Sequence, residues 1–432
     1  MKDDTTLLQK AEEVLMLSGR VIAPLVIERG SGCWIYDADG TKYLDFCSSI
    51  AVSLVGHCNP KVVDAIQRQA ERLIHYTLAG FVHRPAIELA EKLRKIAHKD
   101  NGKIFFTNSG TEAIEGAIKI VRGFFGGSRP WIIGFIGGFH GRSMGSLSIT
   151  ASKSIQRKGF SPLLPCVEHV PYPYCYRCPF KLDPDSCDLH CASFIEEQIF
   201  GKLLDPSEVG CVVFEPIQGE GGCIIPPAGF WNKIERMCRS YGILMVADEV
   251  QTGLGRTGKW FAVEHWGINP DIICISKGLA SGLPLGAIIG DRDVMSLPRG
   301  SHASTLGGNP VCCASALATL SVIEEENLVE NAGKIGDYIL RRLRELKDHY
   351  NIIGDIRGKG LLIGIELVDR EGNPSEKALI TAIKECLKRG LLIIGSGIST
   401  IRLTPPLNIT IEEAEIGLSK LEEVFKTIEK MV

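Results

Sequence analysis

Short apolar runs alternate with helix-like segments through the middle of the chain, from about Val62 onward. The apolar runs are bounded by turn or polar residues and predict buried strands over 103–106, 131–135, 211–214, 243–247, 272–275 and 285–289. Apolar positions at helical spacing predict helices that begin at Pro85 and near Thr111. This alternation is typical of an α/β fold with a mostly parallel sheet covered by helices on both faces.

The pattern changes at both ends of the chain. Residues 1–21 are charged and helix-like, and 21–28 and 33–36 are predicted to be extended pieces before a turn at 37–40. After about Pro310, long charged helices are predicted over 314–326 and 331–350, with a strand over 361–367. We therefore expect an N-terminal arm and small-domain segment (1–60), a large domain (61–312) and a smaller C-terminal α/β domain (313–432).

The composition is that of a globular protein, and the small net charge favours a small-molecule partner. Of the 432 residues, 45% are hydrophobic and 23% are charged, and the formal net charge is -3 with both signs interspersed. This gives no electrostatic basis for a nucleic-acid or membrane-surface partner. The N-terminus lacks the apolar core of a signal peptide, and no stretch approaches the roughly 20 apolar residues that span a bilayer. We therefore expect a cytoplasmic protein.

Polar residues suited to one cofactor follow three of the predicted strands. Ser109, Gly110 and Thr111 lie between a strand and a helix, where backbone N–H groups and hydroxyls can hold a phosphate. Asp248 follows a second strand and Lys277 a third. Each feature alone also fits an ordinary helix cap, a buried polar pair or a surface lysine. Together, at the strand ends where α/β sheets bind ligands, they indicate pyridoxal phosphate, which needs partners for its phosphate, ring nitrogen and aldehyde.

The same segments resemble those of the class III aminotransferases. The resemblance runs in family order from about Ile35 to Leu407 and is carried by SGTEA (109–113), GFHGR (138–142), EPIQGEG (215–221), DEVQTG (248–253), SKG (276–278), TLGGNP (305–310) and RLTPPL (402–407). It implies a pyridoxal-phosphate enzyme of fold type I. It also implies a homodimer or higher homo-oligomer with active sites at the subunit interface.

The resemblance implies a role for each matching position around the cofactor. Lys277 is implied to hold the cofactor as a Schiff base and to move a proton during catalysis. Asp248 is implied to pair with the ring nitrogen. Phe139 is implied to stack on the cofactor ring, with His140 beside it, and Gln251 is implied to reach the phenolic oxygen. Ser109, Gly110 and Thr111 are implied to hold the phosphate, together with Thr305 of the partner subunit.

On the substrate side, the resemblance implies an ω-amino acid as donor and a 2-oxo acid such as 2-oxoglutarate as acceptor. Arg142 and Arg402 would grip carboxylates, and Glu220 would mask Arg402 until a dicarboxylic acid arrives. Glu215, in the same motif, is a further candidate for the substrate site. Ile50 lies where relatives acting on 4-aminobutyrate carry an aliphatic residue and those acting on ornithine carry tyrosine. Two alternatives stay open. Each arginine taken alone also fits a surface ion pair. Some relatives racemise or epimerise amino acids with the same cofactor.

The chain contains fifteen cysteines, which are spread from Cys33 to Cys386 and mostly fit small core residues. Cys175, Cys178, Cys187 and Cys191, with His190 beside them, form a separate cluster whose spacing resembles that of a zinc loop. A structural metal, disulfides and reduced thiols all stay open for this cluster. A similar excursion occurs in a branch of the family in which metal has no part in the chemistry, so no metal is expected at the catalytic site.

Overall fold

The computed structural model describes residues 2–19 and 25–430. Of the extended piece predicted over 21–28, residues 21–24 lie outside the described residues. The strands, numbered in chain order, are β1 (Ile27–Ser31), β2 (Trp34–Asp37), β3 (Lys42–Asp45), β4 (Lys103–Thr107), β5 (Trp131–Phe135), β6 (Val167–Val170), β7 (Val209–Phe214), β8 (Leu244–Asp248), β9 (Ile272–Ile275), β10 (Gly286–Gly290), β11 (Ile353–Lys359), β12 (Leu362–Leu367), β13 (Leu391–Leu392), β14 (Ile394–Ser396) and β15 (Thr400–Leu403).

The helical segments, also in chain order, are α1 (Lys2–Val14), α2 (Ser48–Ala51), α3 (Pro60–Arg72), α4 (Arg84–Ile96), α5 (Gly110–Phe124), α6 (Met144–Ile149), α7 (His190–Phe194), α8 (Phe230–Tyr241), α9 (Pro310–Glu325), α10 (Leu328–Lys347), α11 (Glu376–Lys388) and α12 (Ile411–Ile428). A π-helical turn over Ile195–Phe200 continues α7. Within the described ranges, no helix combines the length and the apolar character needed to cross a bilayer.

The centre of the fold is a seven-stranded sheet in the order β4-β10-β9-β8-β7-β5-β6. The neighbouring strands from β9 to β6 pair in parallel, whereas β10 runs antiparallel to both β4 and β9. The prediction of a mostly parallel α/β sheet is therefore confirmed. The apolar pattern does not predict β6, because Glu168 and His169 interrupt it.

Alternate residues of the central strands face two separate hydrophobic cores. On one face, Val212 and Met245 pack in the same core as Trp231 of α8. On the other face, Val213 and Val246 pack in the core that contains α5. Because both faces of the sheet are covered in this way, the polar groups of a site can approach it only at the strand ends.

Two smaller sheets combine strands from distant parts of the chain. The strands β1, β2 and β3 form an antiparallel sheet, which β13 extends by pairing in parallel with β3, so that Leu391 lies opposite Leu44. The second sheet has the order β11-β12-β15-β14. All seven strands of the large sheet fall within the predicted range 61–312, and β13 joins the first predicted segment to the last. The domain boundaries themselves stay predictions.

Helix α10 lies very close to the turn between β11 and β12. Gly336 is buried in α10, and a Cβ placed on it would lie 2.1 Å from the carbonyl oxygen of Gly360. Gly360 has a left-handed backbone, with φ +52°, and a Cβ on it would lie 2.4 Å from the carbonyl carbon of Thr257. Since these are contacts with backbone atoms, rotation of a side chain cannot relieve them. The spacing between α10 and the β11–β12 hairpin therefore depends on both glycines.

We expect Gly336→Ala to destabilise the protein. The added methyl group must push α10 away from the Gly360 turn, and such overpacking costs about 2 kcal/mol. The urea midpoint of unfolding, followed by circular dichroism, measures this loss.

Gly333→Ala in the same helix is the matched control. The nearest atom to a Cβ on Gly333 is 4.0 Å away, and alanine is favoured over glycine inside a helix by about 1 kcal/mol. This variant should be as stable as the unmodified protein or slightly more stable. An equal loss in both variants would contradict the packing explanation.

Candidate active site at the strand ends

Three side chains with charged or titratable groups follow adjacent parallel strands. Glu215 comes directly after β7, Asp248 ends β8, and Lys277 lies two residues after β9. Because β8 pairs in parallel with both β7 and β9, these residues share one edge of the sheet. Lys277 has a left-handed backbone, with φ 41°. Burial lowers the pKa of Lys277, an effect that the charge of Asp248 opposes and that of Arg402 reinforces.

Asp248 is held in a fixed orientation by two donors. Its Oδ2 lies 2.8 Å from Nδ1 of His140, and its Oδ1 accepts a hydrogen bond of 3.1 Å from the backbone N–H of Val250. Burial alone would lower the pKa of His140, but the hydrogen bond and charge of Asp248 raise it overall. His140 therefore holds the Asp248 carboxylate in place, where it can face a cationic group of a ligand.

The start of α5 forms a cradle of N–H groups beside the same strand ends. Ser109 caps the helix, because its hydroxyl accepts from the backbone N–H of Glu112 at 3.3 Å. The N–H groups of Gly110 and Thr111 have no acceptor within the helix, as at any helix N-terminus. A Cβ on Gly110 would lie 2.9 Å from Val250, so the cradle packs directly against the end of β8. This position suits a phosphate or another anion.

The Phe139 loop (137–142) is tied to the loop after β7 by a buried carboxylate. Glu215 accepts hydrogen bonds from the backbone N–H groups of Phe139 at 2.8 Å and Gly219 at 2.9 Å. Burial raises the pKa of Glu215 to about 7, even though both hydrogen bonds lower it. Arg142 is exposed, and its guanidinium lies 5.4 Å from the centre of the Phe139 ring. Glu215 therefore fixes the backbone of Phe139 in the structure.

Arg402 lies on β15 and is almost completely buried, with 1% of its surface exposed. Its Nη1 donates to the side-chain oxygen of Gln251 at 3.1 Å and lies 3.4 Å from Oε2 of Glu220. Its Nε has no hydrogen-bond partner among the described residues. A buried guanidinium with an unused donor is suited to bind a carboxylate. Lys153, which sequence reasoning missed, also contacts Glu220, at 2.6 Å. A lone lysine in a polar segment gives no signal of this contact.

The short segment α2, which carries Ile50, is a left-handed turn and not a regular helix, and it is built from residues other than glycine. Ser48, Ser49, Ile50 and Ala51 have φ values of 45°, 52°, 67° and 63°. Left-handed backbone costs roughly 1–2 kcal/mol for each such residue. The turn lies beside the end of β15, because the hydroxyl of Thr404 donates to the carbonyl of Cys47 at 3.1 Å. Ile50 itself is 44% exposed.

Asp45 supplies the hydrogen bonds that hold this turn. Its Oδ1 accepts from the backbone N–H groups of Cys47 and Ser48 at 2.9 and 2.8 Å, and its Oδ2 lies 2.8 Å from Nε2 of His57. Burial alone would raise the pKa of Asp45, but the hydrogen bonds from His57 and Cys47 lower it overall. Sequence reasoning missed Asp45 and His57 as well, since their contact spans the turn itself.

The structure brings most of the residues predicted for the site to one edge of the large sheet. The exceptions are Ile50, in the turn after β3, and Thr305, in the loop before α9. Thr305 is exposed, and its neighbour Ser304 accepts a hydrogen bond of 3.2 Å from Asn108 at the start of the cradle. The roles of all these residues in binding and catalysis stay predictions.

The four cysteines of the 175–191 loop line one small cavity of about 40 Å³ together with His190. All four are free thiols. Burial raises the pKa of Cys175 and Cys191, and the neighbouring thiols add to the effect. In the described part of the chain, no group of three or more histidine, cysteine, aspartate or glutamate side chains is placed to hold a metal ion.

Known proteins similar to this chain include enzymes of two activities. The model of the family "Aminotransferase class-III" matches residues 17–425. An alanine/serine racemase of Pyrococcus horikoshii is 40% identical over 97% of this chain and 90% of its own length. A probable 4-aminobutyrate aminotransferase of Bacillus subtilis is 40% identical over 91% of each chain.

Solved structures share the fold as well. The structure of an amine transaminase from an uncultivated Pseudomonas species, with pyridoxal phosphate bound, matches with a TM-score of 0.89 at 33% identity. The match covers 96% of this chain and 98% of that one. The predicted fold-type I architecture is therefore confirmed.

We expect Asp45→Ala to loosen the left-handed turn and to destabilise the protein by about 3 kcal/mol, because hydrogen bonds to a charged acceptor are lost. Since the pKa of Asp45 is lowered on folding, this contribution is present above the ordinary aspartate pKa of about 3.9 and is lost as the pH falls below it. Hydrogen exchange of residues 46–52, together with urea unfolding at pH 7, measures both effects.

Asp37→Ala is the control for a buried aspartate elsewhere in the same sheet. Asp37 accepts from the backbone N–H of Thr41 at 2.7 Å and from the hydroxyl of Tyr43 at 2.9 Å. This variant should also lose stability but should leave exchange over 46–52 unchanged. Slow exchange of that segment in Asp45→Ala would show that other contacts hold the turn.

Proposed function

We propose that this chain, which belongs to the class-III aminotransferase family, moves an amino group from an ω-amino acid to a dicarboxylic 2-oxo acid such as 2-oxoglutarate. The chain is a pyridoxal-phosphate aminotransferase of fold type I, as the sequence predicts. The observation that carries the proposed pair of substrates is the buried Arg402, which shares its guanidinium between Gln251 and Glu220. The 4-aminobutyrate-like character of the donor rests on Ile50.

The residues at the strand ends fit pyridoxal phosphate. The N–H groups of Gly110 and Thr111 that have no acceptor in the helix would hold the phosphate, and Asp248 would face the ring nitrogen. Lys277 lies on the same sheet edge with a pKa lowered by burial. When bound, the cofactor supplies an aldehyde that condenses with amines and a ring that withdraws electrons from the substrate carbon.

Lys277 is the proposed acid and base of the reaction. Because burial lowers its pKa, more of its Nζ is neutral near pH 7 than for an exposed lysine. A neutral Nζ can take a proton from the substrate carbon that carries the amine, and the charged Nζ can give it back. His140 keeps the Asp248 carboxylate oriented, so that it can stabilise positive charge on a ring nitrogen.

Glu220 and Arg402 are proposed to let one site accept two kinds of substrate. With an ω-amino acid bound, no second carboxylate is present, and Glu220 would keep the buried Arg402 paired. A dicarboxylic oxo acid brings a carboxylate that can replace Glu220 on the guanidinium through two parallel hydrogen bonds. Arg142, exposed beside Phe139, would grip the distal carboxylate in either case.

A second candidate function is the racemisation of an amino acid, which the similarity to the alanine/serine racemase favours. A racemase returns the proton to the same carbon and needs no oxo acid. It therefore has no need for a carboxylate that alternately covers and frees an arginine. The pairing of Glu220 with a 1% exposed Arg402 supports amino transfer as the first candidate.

We also propose that the active protein is a homodimer or higher homo-oligomer. Thr305 and Leu306 are exposed, and Asn309 in the same loop donates to the carbonyl of Ile74 at 2.8 Å. Ile74 and Val82 are 67% and 79% exposed, so the segment after α3 that contacts this loop carries large apolar side chains at the surface. Such a surface fits a second subunit. Thr305 of the partner subunit would then complete the phosphate site.

The proposed location is the cytoplasm. All fifteen cysteines are free thiols in the structure. Free thiols in this number are usual in compartments that keep cysteines reduced.

We expect borohydride to attach the cofactor irreversibly to Lys277 in the purified holoenzyme. The lowered pKa and the position at the strand end make this amine the one that reacts with the cofactor aldehyde. Peptide mass spectrometry locates the label, and Lys277→Ala should remain unlabelled and inactive. A label on Lys153, another lysine near the site, would contradict the assignment.

We expect Arg402→Gln to separate the two half-reactions. Loss of a charge-assisted hydrogen bond costs about 1.5–3 kcal/mol, so binding of 2-oxoglutarate should weaken roughly ten- to a hundredfold. The half-reaction with 4-aminobutyrate should change much less. Stopped-flow spectra of the cofactor measure each half-reaction separately.

Arg142→Gln is the comparison for this experiment, because it should weaken every substrate that carries a distal carboxylate. Equal losses in both half-reactions of Arg402→Gln would argue against the exchange between Glu220 and substrate. Inversion of a chiral amino acid without any change of the cofactor to its amino form would instead favour the racemase.

A further inference from the structure

The two carboxylate oxygens of Glu220 face two different cations. Its Oε1 lies 2.6 Å from Nζ of Lys153, and its Oε2 lies 3.4 Å from Nη1 of Arg402. The side chains of Lys153 and Glu220 are 25% and 22% exposed, whereas that of Arg402 is 1% exposed. The shorter contact is therefore the one with the more accessible lysine, and the proposed exchange at Arg402 involves three charged side chains.

Lys153 is attached to a different part of the site from Arg402. It follows α6, and its segment is hydrogen-bonded to the Phe139 loop, with Ala151 N–H donating to the Gly138 carbonyl at 2.8 Å. Arg402 belongs to β15 in the sheet formed by residues after 350. Glu220 thus connects the segment after α6, which carries Lys153, with the C-terminal sheet, which carries Arg402.

The backbone of Glu220 is fixed, so that mainly its side chain is free to shift. The carbonyl of Glu220 accepts from the N–H of Gly397 at 2.8 Å. The side chain of Gln218, two residues earlier, donates to the carbonyl of Ile136 at 2.9 Å. A small rotation of the Glu220 side chain can therefore lengthen its contact with Arg402 while the contact with Lys153 is kept.

We propose that Lys153 is a specificity-determining residue, which holds the Glu220 carboxylate when a dicarboxylic oxo acid takes its place on Arg402. This inference rests on the proposed function of Glu220 and Arg402. Without Lys153, a carboxylate displaced from Arg402 at this partly buried position would lack a charged partner, which is costly. Lys153 supplies that partner before the displacement begins. It thereby lowers the free-energy cost of exposing Arg402 to the incoming carboxylate.

The main test compares Lys153→Met with Lys158→Met in the holoenzyme. Lys158 is an exposed lysine in the same segment, without a described contact to the site. Lys153→Met should weaken 2-oxoglutarate in its half-reaction by roughly tenfold, in the range expected for coupled charged residues in contact. The 4-aminobutyrate half-reaction should change much less, and Lys158→Met should alter neither. Lys153→Arg, which keeps the charge, should restore most of the loss.

Binding of glutarate to the resting holoenzyme tests the same idea without any turnover. Glutarate carries two carboxylates but no amino or oxo group, and perturbation of the cofactor spectrum reports its binding. We expect Lys153→Met to weaken glutarate by roughly the same factor as 2-oxoglutarate. Butyrate, which has a single carboxylate, should bind both proteins alike. Equal weakening of butyrate and glutarate would overturn the proposal.

A double-mutant cycle with Glu220→Gln separates this inference from the function on which it rests. If Lys153 acts through the Glu220 carboxylate, Lys153→Met should have no further effect on glutarate in the Glu220→Gln background. A full, additive loss there would overturn the proposal. Failure of the proposed function is a different result: Arg402→Gln would leave glutarate binding unchanged, or no amino donor would react with 2-oxoglutarate.

Discussion

The parallel pairing of β7, β8 and β9 is the constraint on which the rest of the site depends. It places Glu215, Asp248 and Lys277 at one edge of a sheet whose faces are both buried. Charged groups at that edge cannot all be solvated, so each has a partner or a shifted pKa. His140 stabilises Asp248, two backbone N–H groups stabilise Glu215, and burial lowers the pKa of Lys277.

The large sheet was the part of the fold that could be predicted best from the sequence. Strands at 131–135 and 272–275 were predicted with the bounds that the structure has, since strands buried on both faces are continuous apolar runs. The short strands β13, β14 and β15 are not predicted, because β13 and β15 pair with strands far away in the chain and β14 is only three residues long. The left-handed turn at Ser48–Ala51 was also not predictable, since a sequence without glycine gives no sign of positive φ.

The residues of the candidate site also differ in how well they can be predicted from the sequence. Residues at or just beyond the ends of apolar strands, such as Asp248 and Lys277, can be found from the pattern and from the family resemblance. A residue such as Lys153 cannot be found in this way, because its contact with Glu220 depends on how two loops meet in space. Thr305 is exposed, and its proposed place in the phosphate site depends on a second subunit.

The pairing of β3 with β13 determines the order in which two parts of the fold can be completed during translation. The central sheet is complete once Gly290 has left the ribosome, so the edge that carries Asp248 and Lys277 can form while the chain is still growing. Asp45 ends β3 and the left-handed turn follows it, and β3 obtains its second neighbour only when Leu391 and Leu392 have been made. The sheet of β1, β2 and β3 is therefore translated early but completed late, after the sheet edge with Asp248 and Lys277.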